Sequence, residues 1–292
     1  MDFEEFKEKI KGEMERRLKG GKAVVREVIK NNSVRRTGIF LEAPGEGACP
    51  VIYLEGPYER LCRGQEFAEV SGEVWGIYLS HAGKEPLDRE EFMDWGRAKK
   101  KVSVRLVHYG KNREMLKTVP HRRFLDLAEV YYFTTGMDGG EGSAALITDG
   151  QMGCWGICRR DLEGAAYENH KRNGGTSIQS MDEVIGELLG TGIGGGCGPM
   201  QMYVATNRWK LGGASSMLFA DEFRWLAQEL GSDLYILPSS IHEVLLLPES
   251  AGSPEELAGI VREVNRTQVL PEERLSDNVY LYERKSGSVK IA

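Results

Sequence analysis

The chain has 292 residues, 41% of them hydrophobic, with 38 Lys and Arg against 44 Asp and Glu, a net charge of -6 and a pI near 5.6. That is enough apolar surface for one large core or two ordinary ones, and it excludes disorder as the default state. Charges of both signs are interspersed rather than blocked, which argues against a nucleic-acid backbone as main partner, and no run of apolar residues is long enough for a transmembrane helix.

The opening MDFEEFKEKIKGEMERRL is charged and amphipathic and lacks the apolar stretch and cleavage site of a signal peptide, so a cytoplasmic protein is expected. Cys49, Cys62, Cys154, Cys158 and Cys197 are odd in number and sparse, as reduced thiols would be. Asp2 with Glu5 caps a first helix that shows Phe3, Phe6, Ile10 and Met14 on one face. AVVREVI and GIFLE follow as a hairpin around Asn31-Asn32, then helices through YLEGPYERL and EFAEVSGEVWGIYL. Asp88 with Glu91 starts a short helix, and KVSVRLVHY reads as a strand. Residues 1–118 are therefore expected to form a small N-terminal α+β region.

From Pro120 the rhythm becomes more regular. FLDLAEVYYF and SAALITD make a strand pair across TTGMDGGEG, followed by the helix RDLEGAAYENHKR. Ser180 and Glu183 form a capping box for DEVIGELL; QMYVAT and SSMLF are expected as a second strand pair before the helix DEFRWLAQEL. DLYIL and VLLL make a third pair. The next helix is announced by Ser253, Pro254 and Glu256, with Leu257, Ile260, Val261 and Val264 expected to face inward. VYLYE and VKIA close the chain. Strand, strand, helix thus recurs, and short links mean antiparallel neighbours. The expected class is α+β: a mostly antiparallel sheet over 119–292 with a flexible Gly-rich loop at 190–199, plus the smaller region before it.

Gly190, Gly192 and Gly195 have the spacing of a dinucleotide fingerprint, but a helix precedes them and a strand follows, the reverse of the order that aims amides at a pyrophosphate. His242-Glu243 starts like a zinc-peptidase motif, with Leu246 where the second histidine belongs. Cys154 and Cys158, with His170 as a conceivable third ligand, offer only one close ligand pair, and are expected to be buried hydrophobes beside Trp155. No cofactor and no metal are expected. In LPSSIHEVLLLP, Ser239, Ser240, His242 and Glu243 lie between two apolar strands, either as a hydroxyl-stabilised turn or as a serine activated by histidine. Asp126, inside FLDLA, is a carboxylate in an apolar run whose strand parity leaves its exposure open. Arg97 to Lys101, RAKKK, is a local basic run suited to a helix end, and NRTQVLPEERLSDN, 265–278, reads as a polar connector.

E-E-F-K in the first helix, KNN at 30–32, IYLE at 52–55, VPH-x-x-FLDLA at 119–128, WGI at 155–157, LGSDLYILPSSIHEV at 230–244, and REVNRTQV with LSD near the end together resemble the bacterial domain-of-unknown-function family numbered 5688 over nearly the whole chain. The resemblance implies no activity, ligand or catalytic residue. The leading expectation is a metal-free cytoplasmic protein that binds a protein or peptide partner without chemistry. The alternative is a hydrolase or transferase using Ser239 or Ser240 with His242 and Glu243 or Asp126; a third reading is weak nucleic-acid binding through RAKKK and Arg122-Arg123.

Overall fold

A computed structural model of the protein describes residues 1–43, 51–81, 89–135, 143–189 and 201–292, and the chain forms two compact units, Met1–Asp88 and Arg89–Ala292. The first begins with α1 (Phe3–Leu18), where the Asp2 carboxylate accepts from the Glu5 amide and the Glu5 side chain accepts from the Asp2 amide. This box satisfies amides that the first helical turn would leave unpaired. Phe6, Ile10, Met14 and Leu18 form the buried stripe of α1. They pack on Ala23, Ile39, Leu41 and Ile52 from the antiparallel strands β1 (Lys22–Ile29), β2 (Arg35–Glu42) and β3 (Ile52–Tyr53). Leu54, just before α2 (Glu55–Cys62), and Val70, Val74 and Tyr78 of α3 (Phe67–His81) complete this core.

The second unit starts with α4 (Arg89–Met93), α5 (Trp95–Ala98), β4 (Val102–His108) and α6 (Arg113–Leu116). Residues 89–118, grouped by the sequence reading with the N-terminal region, thus supply β4, which pairs along its length with β6 (Leu127–Thr135). The other edge of β6 is shared: β5 (His121–Phe124) pairs with its first half and β7 (Ser143–Leu146) with its second, all antiparallel. After α7 (Asp149–Trp155) and α8 (Arg159–Arg172), strand β8 (Thr176–Ser180) leads into α9 (Met181–Leu189), and Ser180 and Glu183 exchange the expected capping bonds. Strands β9 (Tyr203–Asn207), β10 (Leu234–Pro238), β11 (Val244–Pro248), β12 (Tyr280–Glu283) and β13 (Ser288–Ile291) join β8 in a six-stranded antiparallel sheet of order β13-β12-β10-β11-β9-β8. The glycine-rich stretch 190–199 lies outside the described residues; α9 precedes it and β9 follows.

SSMLF is not a strand. It belongs to a 3-10 helical segment, Gly213–Phe223, that leads into α10 (Arg224–Glu229). Ala214, Met217, Ala220 and Phe223 are all buried, a spacing of three that matches the turn of a 3-10 helix and that a five-residue window is too short to reveal.

The central strands β10 and β11 are packed on both faces, so they read as continuous apolar runs. Leu234, Ile236, Val244 and Leu246 face the 3-10 segment and α10. Tyr235, Leu237, Leu245 and Leu247 face the opposite way, toward α11 (Pro254–Thr267). Among the described residues no helix is long and apolar enough to cross a membrane.

Candidate functional site

Helix α11 begins at Ser253, whose hydroxyl accepts from the Glu256 amide while the Glu256 carboxylate accepts from the Ser253 amide and hydroxyl. These bonds hold the Glu256 carboxyl below the ordinary glutamate value, so it is charged at neutral pH. Leu257 and Val261 are buried against Tyr235, Leu237, Leu247 and Val279. Ile260 and Val264, expected to face inward, are instead 56% and 38% exposed. The apolar stripe of α11 is wider than the surface the sheet offers it, and the uncovered half borders a groove of about 710 Å³. Met202, Leu237, Leu245 and Leu247 form the sheet side, and Leu257, Ile260 and Val264 the helix side. Its charged lining is acidic, Glu256 and Glu263, and Glu263 also pairs with Arg266 at 2.8 Å. The groove is of ligand-site size and mostly apolar, with no histidine, serine or cysteine among its described lining residues.

The expected serine and histidine cluster lies at the β10–β11 connection. Its backbone bonds are those of a turn: the Ser240 hydroxyl accepts from the His242 amide at 3.0 Å and the Ser240 amide donates to the Glu243 carbonyl at 3.3 Å. Ser239 Oγ donates to Glu243 Oε1 at 3.4 Å. His242 Nδ1 accepts from the Gly212 amide at 3.2 Å, and Nε2 lies 3.8 Å from Glu273 Oε1. With Nδ1 accepting, the neutral ring carries its proton on Nε2 and has no lone pair left for a hydroxyl. Burial, with Arg105 adding to it, keeps this imidazole below its ordinary value against the pull of Glu273 and Glu243.

Asp126 is not brought to that cluster. Phe124 pairs with Leu127, so Leu125 and Asp126 form a two-residue turn between β5 and β6, with Leu125 at φ 56; the run FLDLA is broken there, and strand parity never applies to Asp126. Its carboxylate accepts from Ser276 Oγ at 2.7 Å, Asn278 Nδ2 at 3.0 Å and Tyr280 OH at 2.7 Å. Asn265, on the last turn of α11, donates to the Ser276 carbonyl and to Asp277 Oδ1. The connector 265–278 is therefore knitted between α11 and the β5–β6 turn, with Leu275 and Ser276 buried. Burial and the neighbouring Asp126 carboxylate together push the Tyr280 hydroxyl far above the ordinary tyrosine value.

Sequence reasoning missed a second buried carboxylate. Glu129 on β6 is 0% exposed and stands directly opposite Arg122 on β5. Arg122 donates to Glu129 Oε2 through Nε at 2.9 Å and Nη2 at 2.6 Å; Tyr131 donates to Oε1 at 2.7 Å and Tyr167 to Oε2 at 3.2 Å. Arg159, Glu163 and Tyr167, at successive i, i+4 positions of α8, close over it: Arg159 bonds Glu163 at 2.6 Å, and Arg122 lies 3.5 Å from Glu163. Burial and the Glu129 charge raise both tyrosine hydroxyls well above the ordinary value. The hint in the sequence was a glutamate in the otherwise apolar LAEVYYF. Arg122, weighed as a phosphate contact, is held by Glu129, while Arg123 bonds the Leu125 carbonyl and lies over the Tyr109 ring.

Cys154 and Cys158 are exposed rather than buried. Gly156, at φ 65, ends α7, and Cys158 precedes α8, so the two cysteines do not share a helix. His170 is turned to Glu222, 3.2 Å away. Cys49 and Cys197 lie outside the described residues, among which no three His, Cys, Asp or Glu side chains are grouped to hold a metal ion.

A model of a family of unknown function, DUF5688, matches residues 3–284 of the chain. No curated protein and no solved structure matches it.

Proposed function

The chain belongs to DUF5688, a family of unknown function, and on that premise, which assigns no ligand, we propose that its Arg89–Ala292 unit is a protein-binding module. The groove between α11 and the six-stranded sheet takes an apolar peptide segment of a partner protein whose flanks are basic. The observation that carries this reading is the exposure of Ile260 and Val264 beside an apolar groove of about 710 Å³. Covering one such side chain is worth roughly 1.5–3 kcal/mol when the burial is complete, so two or three apolar anchors supply a useful affinity. The basic flanks follow from the groove's own charges, Glu256 and Glu263, in a chain of net charge -6. The described lining is mostly apolar, and its two carboxylates are engaged, Glu256 by the Ser253 cap and Glu263 by Arg266, which suits binding.

The test is selection from a random peptide display library, run in parallel on the wild type, Ile260→Asp and Val264→Asp. Enriched peptides should carry spaced apolar anchors with Lys or Arg on either side, and both variants should bind them at least about tenfold more weakly, the loss of one anchor. Both positions are exposed, so the variants should unfold at the wild-type denaturant concentration. Peptides that bind the variants as well as the wild type, or no enrichment at all, would reject the reading.

A further inference from the structure

Arg105 is a cation that the fold positions without neutralising. It lies in the middle of β4, opposite Val130 on β6. Because Glu129 meets Tyr167 of α8, alternation along β6 turns Val130, and Arg105 with it, to the other face of that sheet. There the guanidinium lies over the Tyr132 ring, with Cζ 4.2 Å from the ring centroid. The arginine stem runs along Gly212, where a β-carbon would stand 2.7 to 2.9 Å from Arg105 Cγ, Cδ and Nε. Gly212 has φ 69 and donates its amide to His242 Nδ1. Glycine is the residue that takes this backbone and leaves room for the arginine.

A guanidinium carries five N–H donors and stays ionised throughout the ordinary pH range. The other arginines of this sheet have spent theirs: Arg122 donates to Glu129, and Arg123 to the Leu125 carbonyl. Arg105 is half-buried, and among the described residues it has neither a hydrogen-bond acceptor nor a carboxylate partner. Burial pushes it below the ordinary arginine value, and only the neighbouring Tyr132 phenol acts the other way. The Tyr132 hydroxyl also has no hydrogen-bond partner among the described residues. A cation drawn partly out of water with its donors unspent is unfavourable by itself, and an anion from outside the chain relieves that cost.

We infer that Arg105 anchors a carboxylate-binding site, in which its N–H fork takes both oxygens of a carboxylate carried by a small organic acid or by the C-terminus of a peptide. A planar group matches the fork bidentately. A single negative charge matches the single cation, because Glu243 and Glu273 already bear on the adjoining His242, whose Nε2 is 3.8 Å from Glu273. A dianionic phosphate would meet those two acids with one guanidinium to offset them. The ring of Tyr132 beneath and Gly212 beside the stem hold the fork in one orientation, so little side-chain freedom is lost on binding.

The test is a titration of the full chain, followed by the NMR signals of its histidine rings at neutral pH and constant ionic strength. The probes are sodium acetate and N-acetylglycylglycine, with N-acetylglycinamide as the uncharged control, and His242→Gln assigns the reporter signal. The His242 ring should shift saturably with both acids and not with the amide. Arg105→Gln should weaken both acids about tenfold or more, as loss of a charge-assisted pair implies, and Arg105→Lys, which keeps the charge without the fork, should weaken them less. Tighter binding of acetate identifies a small acid as ligand, and tighter binding of the dipeptide identifies a peptide C-terminus; both support the site. No saturable shift with either acid at tens of millimolar overturns it, as does an equal response to the amide. Unchanged affinity in Arg105→Gln overturns it as well; if that variant does not give the wild-type circular dichroism spectrum, Arg105→Lys is read in its place.

Discussion

Replacing Glu129 by alanine tests whether the buried carboxylate organises the interface between the β4-β6-β5 sheet and α8. In the wild type Glu129 accepts from Arg122, Tyr131 and Tyr167. Arg122 keeps 41% of its side chain exposed and retains Glu163 at 3.5 Å, so it can return to solvent at small cost. The Tyr131 hydroxyl cannot, since Tyr131 is 0% exposed, and the half-buried Tyr167 loses one of its two partners. Each buried hydroxyl left without an acceptor costs about 1–3 kcal/mol, and the truncated methylenes add a cavity term, so a loss of roughly 3–5 kcal/mol is expected. For a unit of this size that lowers Tm by about 10 °C. Urea unfolding followed by circular dichroism measures it, together with Glu129→Ala/Tyr131→Phe, which deletes one stranded hydroxyl. The double variant should recover about 1–2 kcal/mol of the single variant's loss. A cost below about 1 kcal/mol for Glu129→Ala, or no recovery in the double variant, would show that water or rearrangement satisfies these hydroxyls and that the network is not what holds α8.

His242 has a depressed folded value from burial and from Arg105, whereas an unfolded imidazole titrates near 6.5; as pH falls the unfolded chain takes up its proton first. Its contribution to stability should therefore be complete above about pH 6.5 and decline below it toward the folded value, and His242→Gln should flatten the urea midpoint between pH 7 and 5.5. His108, depressed by burial and Lys111, acts in the same direction, so a slope unaltered in a His108→Gln/His242→Gln variant would refute the assignment. Gly213→Ala places a methyl 2.5 Å from the His242 carbonyl and 2.7 Å from the Asn207 amide, which should cost about 1–3 kcal/mol in denaturant midpoint; a neutral substitution would mean that the turn moves freely. Ser253→Ala removes the cap of α11 and should cost about 1 kcal/mol, again read from unfolding, with no loss showing that sheet packing alone starts the helix. Ile260→Asp, at a 56% exposed position, should stay within about 0.5 kcal/mol of the wild type, and a larger cost would place Ile260 in the core.

How much could be read in advance depended on how far apart the partners lie along the chain. The helix starts at Asp2, Ser180 and Ser253 were legible because each cap joins residues three apart. Strand pairs such as β10 with β11 were legible because two apolar runs meet across a short link. The serine and histidine cluster was legible as a position but not as an arrangement: the residue that occupies His242 Nδ1 is Gly212, 30 positions away. The stripe of α11 was visible too, though not which half of it the sheet would leave uncovered.

The amino-acid sequence by itself determined the α+β class, the antiparallel pairing of neighbouring strands and the helix caps, since propensity, periodicity and capping act within a few residues. Only the tertiary structure decided that SSMLF coils as a 3-10 segment, that Asp126 turns toward Tyr280, 154 residues away, and that Glu129 meets Tyr167 on α8. It also decided that Ile260 and Val264 border a groove. Each of these outcomes joins segments that chain order keeps apart. A buried polar group takes whichever distant partner the packed sheets and helices bring within hydrogen-bonding distance.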